Sequence, residues 1–250
     1  MKLEVKHLKF GYLKDSGPIF KDFSISVREG EFVSIIGPSG CGKSTFLNLL
    51  AGILTGYEGD IYIDGERVSG ISEHFAYMPQ NDLLLPWRTV LDNVCLYSEI
   101  HHNKKAVVRQ ALDRMAQFGL KGYEDSYPDE LSGGMRQRAA FLRTVLCEAD
   151  ILLLDEPFGA LDVITRAGLQ DWLYKLCKEL RKTVLLVTHD TDEAIYLSDR
   201  ILVLGHAGEG IRDELRITET ERTREWLYAN GDLRTEIYGL ISSDQDARQD

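Results

Sequence analysis

A glycine-rich segment between residues 37 and 45 has the residue types and spacing of a phosphate-binding loop. It consists of Gly37, Pro38, Ser39, Gly40, Cys41, Gly42, Lys43, Ser44 and Thr45. Glycines let the backbone approach a phosphate closely, and a helix that starts here adds N–H groups that favour anions. We expect the whole segment to bind a nucleotide, with Lys43 at the outer phosphates and Ser44 at a Mg²⁺ ion. At a helix start, the thiol pKa of Cys41 is expected to fall.

Two carboxylates, Asp155 and Glu156, end the apolar run 151–154. A buried strand rarely ends in charges unless they face a ligand. Asp155 suits the Mg²⁺ shell, whereas Glu156 points another way and suits a base that orients the attacking water. His189 follows a second apolar run and could contact the γ-phosphate or position Glu156 and the water.

Two further side chains are candidates for nucleotide contacts. Gln80 follows the run 75–79 at the junction with a helical region, where it could contact Mg²⁺ or water and report the γ-phosphate to that region. The ring of Tyr12 could stack on adenine, with packing in the core as the alternative. Phe10 competes with Tyr12 for the stacking role.

A second glycine-rich loop, with Ser132, Gly133 and Gly134, lies within the stretch 131–138. It would open a helix with free N–H groups and so form a second anion site. Two anion sites in a domain that binds one nucleotide predict pairing of two copies, in which the loop of one copy covers the nucleotide of the other.

The elements that must position these residues alternate between strands and helices. Strands are predicted at 3–12, 23–27, 32–36, 59–64, 75–79, 151–154, 183–188 and 201–204, and helices at 43–50, 164–180 and 191–197. This alternation predicts an α/β fold with a mostly parallel sheet covered by helices. Residues 90–97, 104–118 and 133–147 have helical spacing, and 219–241 predicts an amphipathic helix or a pair of helices.

These patterns divide the chain into three regions. We expect residues 1–80 and 149–218 to form a nucleotide-binding core with an antiparallel β part, and residues 81–148 to form an inserted helical lobe. Residues 219–250 form a C-terminal helical segment with an acidic tail, expected to fray from Ser242 onward.

Composition limits the classes of partner. The net charge of −11 argues against nucleic acid, which favours basic surfaces. No apolar run reaches the roughly 18 residues of a membrane span, and the first residues do not resemble a signal peptide. We therefore expect a cytoplasmic protein that meets a membrane only through partners. The four scattered cysteines are expected to be reduced thiols.

Taken in this order, the motifs resemble the ATP-binding subunit of an ABC transporter over roughly residues 1–218. The resemblance implies a P-loop NTPase fold, ATP and Mg²⁺ as cofactors, hydrolysis of ATP, and a dimer of ATP-binding subunits that closes on two ATP. It also implies that residues 159–162 form the loop at the dimer contact. Met135 departs from the pattern, because the family usually has glutamine there.

Residues 80–94 resemble the importer branch that handles nitrate, sulfonates, taurine and related small organic compounds. This implies a peripheral position on the inner face of the cell membrane, transmembrane permease subunits and a separate substrate-binding protein. Trp87 and the leucines beside it then either contact the permease or pack within the lobe. The stretch 206–212 lacks the proline usual in that branch.

Two other functions compete with transport. One is a soluble ABC ATPase of non-transport function, such as a chromosome-organising protein, but that class carries a long coiled coil between the two glycine loops and no heptads occur here. The other is a small-molecule P-loop kinase, which would not need the stretch 131–138 or the Asp155–Glu156 pair.

Overall fold

The computed structural model describes residues 1–12, 17–101 and 104–246. Within these ranges the strands are β1 (Leu3–Phe10), β2 (Phe20–Val27), β3 (Phe32–Ile36), β4 (Glu58–Ile63), β5 (Glu66–Val68), β6 (Phe75–Met78), β7 (Ile151–Asp155), β8 (Thr183–Val187), β9 (Arg200–Leu204) and β10 (Ile211–Arg216). They form one sheet of six strands and one of four.

The six-stranded sheet has the order β10-β9-β3-β8-β7-β6. All of its neighbouring pairs are parallel except β10 with β9, so the predicted mostly parallel sheet is confirmed. Every residue of β3, β7, β8 and β9 is buried, as expected for strands covered on both faces. Because parallel strands end at the same edge, the segments after β3, β6, β7 and β8 lie side by side.

The four-stranded sheet is antiparallel, with the order β2-β1-β4-β5. Two strands were not predicted, β5 here and β10 in the larger sheet. Both are edge strands with mainly polar sequences, and Leu215 is the buried residue of β10. Their pairing comes from a neighbouring strand, so their own apolar pattern is weak.

The helices of the described residues are α1 (Lys43–Leu50), α2 (Val90–Val94), α3 (Leu96–Ile100), α4 (Lys104–Gln117), α5 (Gly133–Val145), α6 (Val163–Leu180), α7 (Thr191–Leu197), α8 (Arg224–Ala229) and α9 (Gly231–Asp246). The helix predicted over 90–97 is two helices that meet at Cys95, whose backbone leaves the helical region. In the part of the chain that the structure covers, no helix is both long and apolar enough to cross a bilayer.

Alternating side chains of the central strands pack into two different apolar cores. Leu152 and Leu154 of β7 pack in the core that includes the helical region and α6, whereas Ile151 and Leu153 pack with α1 and the antiparallel sheet. The period-two alternation of a strand therefore joins both layers to one sheet.

The C-terminal segment is a pair of helices that packs on the first of these cores. Leu227 of α8 and Ile237 of α9 are buried there. Helix α9 extends to Asp246, and residues 247–250, the end of the stretch expected to fray, lie outside the described part.

Candidate nucleotide site

The first glycine-rich loop connects β3 to α1 at the edge where the parallel strands end. Gly42, the residue before α1, has φ of 108°, and a Cβ there would lie 2.4 Å from Ile19 Cγ2, so only glycine fits. Lys43 Nζ donates to the carbonyl oxygens of Gly37 at 2.8 Å and Pro38 at 3.0 Å. The ammonium group of Lys43 thus lies against the loop to which phosphates would bind.

The structure separates the two aromatic candidates. Phe10 is buried in the core, while Tyr12 is 55% exposed and meets the Phe10 ring edge to face at 5.2 Å. The Tyr12 hydroxyl lies 3.0 Å from Thr45 Oγ1 in the phosphate loop. Tyr12 is therefore the ring that can reach a base beside the loop.

Cys41 does not have the expected low thiol pKa. Its side chain is buried, and this burial raises the pKa. Lys43 Nζ, 3.8 Å from the sulfur, acts in the opposite direction, but the desolvation of a thiolate outweighs it.

Asp155 is 3% exposed and lies beside two hydroxyl groups. Ser44 Oγ donates to Asp155 Oδ1 at 3.1 Å, and the Tyr77 hydroxyl is a second hydrogen-bond partner. Burial, followed by the charge of Glu156, raises the pKa of Asp155 despite the Ser44 bond. A hydroxyl and a carboxylate oxygen are the hard ligands that Mg²⁺ prefers, and this ion usually takes only one or two protein ligands beside phosphates and water. These residues therefore fit Mg²⁺.

Glu156 contacts two of the other predicted residues, Gln80 and His189. Its φ of 49° turns the chain directly after β7. Gln80 Nε2 donates to Glu156 Oε2 at 3.0 Å, and His189 Nδ1 lies 3.2 Å from Glu156 Oε1. Because its side chain is 23% exposed, the carboxylate between these two groups is open to water.

Gln137 is a residue that the sequence analysis did not single out. It is 6% exposed, and its Nε2 donates to the Pro157 carbonyl at 3.2 Å. This bond links α5 to the segment that follows Glu156. The available signal is its place on the buried face of α5, one turn before Phe141, where a polar residue needs a partner.

Side chains of α5 and α2 hold the segment that follows Gln80. Arg143 donates to the carbonyl oxygens of Asp82 and Leu83, both at 2.8 Å, and Arg136 Nε donates to Asp82 Oδ2 at 3.1 Å. Leu84 is buried, whereas Leu83 is 61% and Trp87 71% exposed. Each of the two alternatives for this segment therefore fits a different residue. Leu84 packs within the helical region, whereas Trp87 faces outward.

The second glycine-rich loop begins α5 and packs beside Ala160 and Leu161. Ser132 caps α5, accepting from the Met135 N–H at 3.3 Å, and is exposed. The atoms within 4 Å of a Cβ built on Gly134 belong to Leu161 and Ala160. The site residues that meet at the sheet edge do not include Ser132, Gly133 or Gly134.

The fold and this site define a P-loop ATPase that binds a nucleotide. The sequence model of the ABC transporter family matches residues 20–159, more than half of the chain. The chain belongs to the ABC transporter family.

Curated relatives cover most of the chain. The nitrate import ATP-binding protein NrtC of Synechococcus elongatus is 39% identical over 237 residues, 92% of this chain, which spans only 36% of the length of NrtC. The aliphatic sulfonates import ATP-binding protein SsuB 1 of Rhodococcus jostii is 46% identical over 199 residues, covering 80% of this chain and 77% of the relative.

Solved structures give the same fold. The dimeric structure of MJ0796, a bacterial ABC transporter cassette, is 30% identical with a TM-score of 0.77, and covers 87% of this chain and 99% of the cassette. The post-hydrolysis dimer of MJ0796 with ADP and Pi has a TM-score of 0.76 at 29% identity and the same coverage. The α/β fold of an ABC ATPase is confirmed.

Proposed function

We propose that this chain is the subunit that hydrolyses ATP to energise an ABC importer. The observation that carries the proposal is the Glu156 carboxylate, held between Gln80 and His189 beside the phosphate loop. A carboxylate open to water and fixed by two neighbours suits a base that orients the attacking water.

The remaining residues take supporting roles in this proposal. Residues 37–45 bind the phosphates, with Lys43 on the outer ones and the Tyr12 ring on adenine. Ser44, Asp155 and Gln80 hold Mg²⁺, which when bound would neutralise phosphate charge. His189 contacts the γ-phosphate or positions Glu156.

Two copies pair head to tail, so that Ser132, Gly133 and Gly134 of one copy complete the ATP site of the other. The exposure of Ser132 and Gly133 supports this role, because a ligand from outside the chain can approach the start of α5 there. Val163 and Ile164, 80% and 85% exposed next to Asp162, supply apolar surface for the same contact. MJ0796, a structural relative, forms a dimer.

A transmembrane permease binds the outward surface around Trp87 and Leu83, on the inner face of the cell membrane. Exposed aromatic and aliphatic side chains beside Gln80 suit a contact that senses the γ-phosphate. We retain the division into a core of residues 1–80 and 149–218, a lobe of 81–148 that moves, and a C-terminal segment of 219–250. A separate substrate-binding protein delivers the cargo.

The cargo class we propose is a small oxidised anion such as nitrate or an aliphatic sulfonate. The relatives carry these substrates in their names, and the resemblance of residues 80–94 points to the same branch. Because this chain contacts the permease rather than the cargo, the class rests on likeness to these relatives.

The catalytic part is tested by Glu156→Gln. We expect ATP binding to be kept and turnover to fall about 100-fold or more, because the amide cannot act as a base. ATPase rates and nucleotide affinity are measured side by side, with the exposed Glu66→Gln in β5 as the matched control. Wild-type turnover in Glu156→Gln would remove Glu156 from the catalytic role.

The transport part is tested by affinity purification of the chain from native membranes in mild detergent, followed by mass spectrometry. We expect a polytopic membrane protein and a substrate-binding protein, which can then be screened with nitrate and sulfonates. A purely soluble set of partners would favour a non-transport ABC ATPase and leave the ATPase chemistry standing.

A further inference from the structure

Buried polar side chains form a continuous chain of hydrogen bonds toward His189. Glu193 of α7 is 4% exposed, and its Oε1 accepts from Gln170 Nε2 of α6 at 2.9 Å. The Thr188 hydroxyl also bonds to the Glu193 carboxylate, and Thr188 Oγ1 accepts from the Asp190 N–H at 3.0 Å. Both residues that flank His189 are therefore tied to Glu193.

The C-terminal segment supplies the other end of this chain. Arg224 of α8 donates from Nη1 to Gln170 Oε1 at 3.0 Å and from Nη2 to Asp171 Oδ1 at 2.7 Å. Its guanidinium also lies 3.9 Å from the centre of the Tyr196 ring. Because the amide oxygen of Gln170 accepts a hydrogen bond from Arg224, the NH₂ group of Gln170 is the one that must face Glu193.

Burial of the Glu193 carboxyl group costs free energy of desolvation, which is not expected for a side chain that only fills space. The pKa of Glu193 is raised to about 7, mainly by burial and to a smaller extent by the charge of Asp190, while the hydrogen bonds from Thr188 and Gln170 and the charge of Arg166 act in the opposite direction. An apolar side chain would avoid that desolvation. A fully bonded buried network instead specifies one arrangement of the backbone around it.

His189 needs such support because its own side chain is 69% exposed and meets Glu156 Oε1 from the outside. Its position is set by the backbone between Thr188 and Asp190. The cleft that holds Glu156 and His189 is lined by Glu193 as well.

We propose that Glu193 is a positioning residue for His189, and that Arg224 connects helix α8 to the same hydrogen-bond network through Gln170. The inference rests on the proposed role of His189 in hydrolysis. If Glu193 and Arg224 act in this way, the C-terminal segment affects the rate of ATP hydrolysis. This segment lies beyond the residues matched by the family model.

The test compares Arg224→Ala and Glu193→Gln with Arg234→Ala, using the full chain. Arg234 of α9 is the matched control, because it pairs with Asp192 of α7 at 2.5 Å and so ties the C-terminal segment to the helix of Glu193 without contacting Gln170. We expect both test variants to lower kcat about tenfold or more and to leave KM for ATP within about twofold, since a misplaced group affects the reaction more than binding.

A second readout does not depend on activity. In protein labelled with ¹⁵N-histidine, the His189 ring signals are identified by their loss in His189→Ala. We expect these signals to shift in Arg224→Ala and Glu193→Gln and to stay in place in Arg234→Ala.

The possible results distinguish failure of the positioning role of Glu193 and Arg224 from failure of the proposed role of His189. Unchanged kcat and unchanged His189 signals in both test variants would overturn the positioning role, as would an equal loss of kcat in Arg234→Ala. Full activity of His189→Ala would instead overturn the proposed role of His189, whatever the ring signals show.

Discussion

Two buried carboxylates near the site have raised pKa values for a shared reason and different uses. Asp155 and Glu193 are both removed from water, and desolvation is the largest cause in each case. Asp155 has hydroxyl partners at the place where a cation would sit, so bound Mg²⁺ would compensate its charge. Glu193 has an amide and a hydroxyl partner away from the phosphate loop, so its burial remains a cost to the fold.

This difference predicts a pH-dependent stability. The folded-state pKa of Glu193 is about 7 against an ordinary value of 4.5, so between these values the folded chain holds a proton that the unfolded chain has lost. The contribution of Glu193 to the free energy of unfolding is therefore fully present below about 4.5 and declines as pH rises to about 7. Glu193→Gln cannot ionise and lacks this decline.

Urea unfolding of both proteins at about pH 5 and about pH 8 checks the prediction, since the two conditions bracket most of the change. We expect the wild type to lose free energy of unfolding relative to Glu193→Gln between the two conditions. A difference between the proteins that is the same at both pH values would contradict it.

At the scale of elements, the segment after β6 is held by its neighbours rather than by its own structure. The side-chain amide of Asn93, completely buried in α2, makes four hydrogen bonds, with Leu85, Arg88 and Thr89. Arg136 and Arg143 of α5 hold the same segment from the other side. The position of Gln80 thus depends on the packing of the helical region.

We expect Asn93→Ala to lower the free energy of unfolding by about 2 kcal/mol, because it leaves backbone groups of this segment without partners. Thermal or urea unfolding measures the change. Arg109→Ala, at an exposed position of α4, is the control and is expected to be nearly neutral. Equal stability of the two variants would show that the Asn93 bonds are replaced by water.

At the scale of the whole molecule, the proposed dimer concerns the two glycine-rich loops. The phosphate loop and the Ser132 loop both start helices, but the surroundings of Gly134 come from residues 160 and 161 and not from the phosphate loop. In the proposed head-to-tail dimer, a second copy of the chain would bring the two loops together.

Ser132→Arg tests this pairing. We expect ATP binding by the monomer to be unchanged, and turnover and ATP-dependent dimerisation to be lost, because a long charged side chain would occupy the space of the partner's nucleotide. Light scattering with ATP, alongside the ATPase rate, measures both. Ser69→Arg, at another exposed serine, is the control. Retained turnover in Ser132→Arg would argue against the paired site.

The sequence by itself determined the central strands and the family. Runs such as 32–36 and 151–154 are almost entirely apolar, because both faces of a parallel sheet are covered, and their pattern is readable without knowing their neighbours. The glycine, lysine and carboxylate motifs are local too, since phosphate and metal chemistry requires particular residue types at short spacing.

Only the tertiary structure decided which distant groups meet. The Gln80–Glu156–His189 contacts, the Gln137 bond behind them and the Arg224–Gln170–Glu193 chain join residues far apart in sequence. The edge strands β5 and β10 and the raised pKa of Cys41 also depend on neighbours. Burial and pairing are properties of the assembled chain, and residue spacing alone does not carry them.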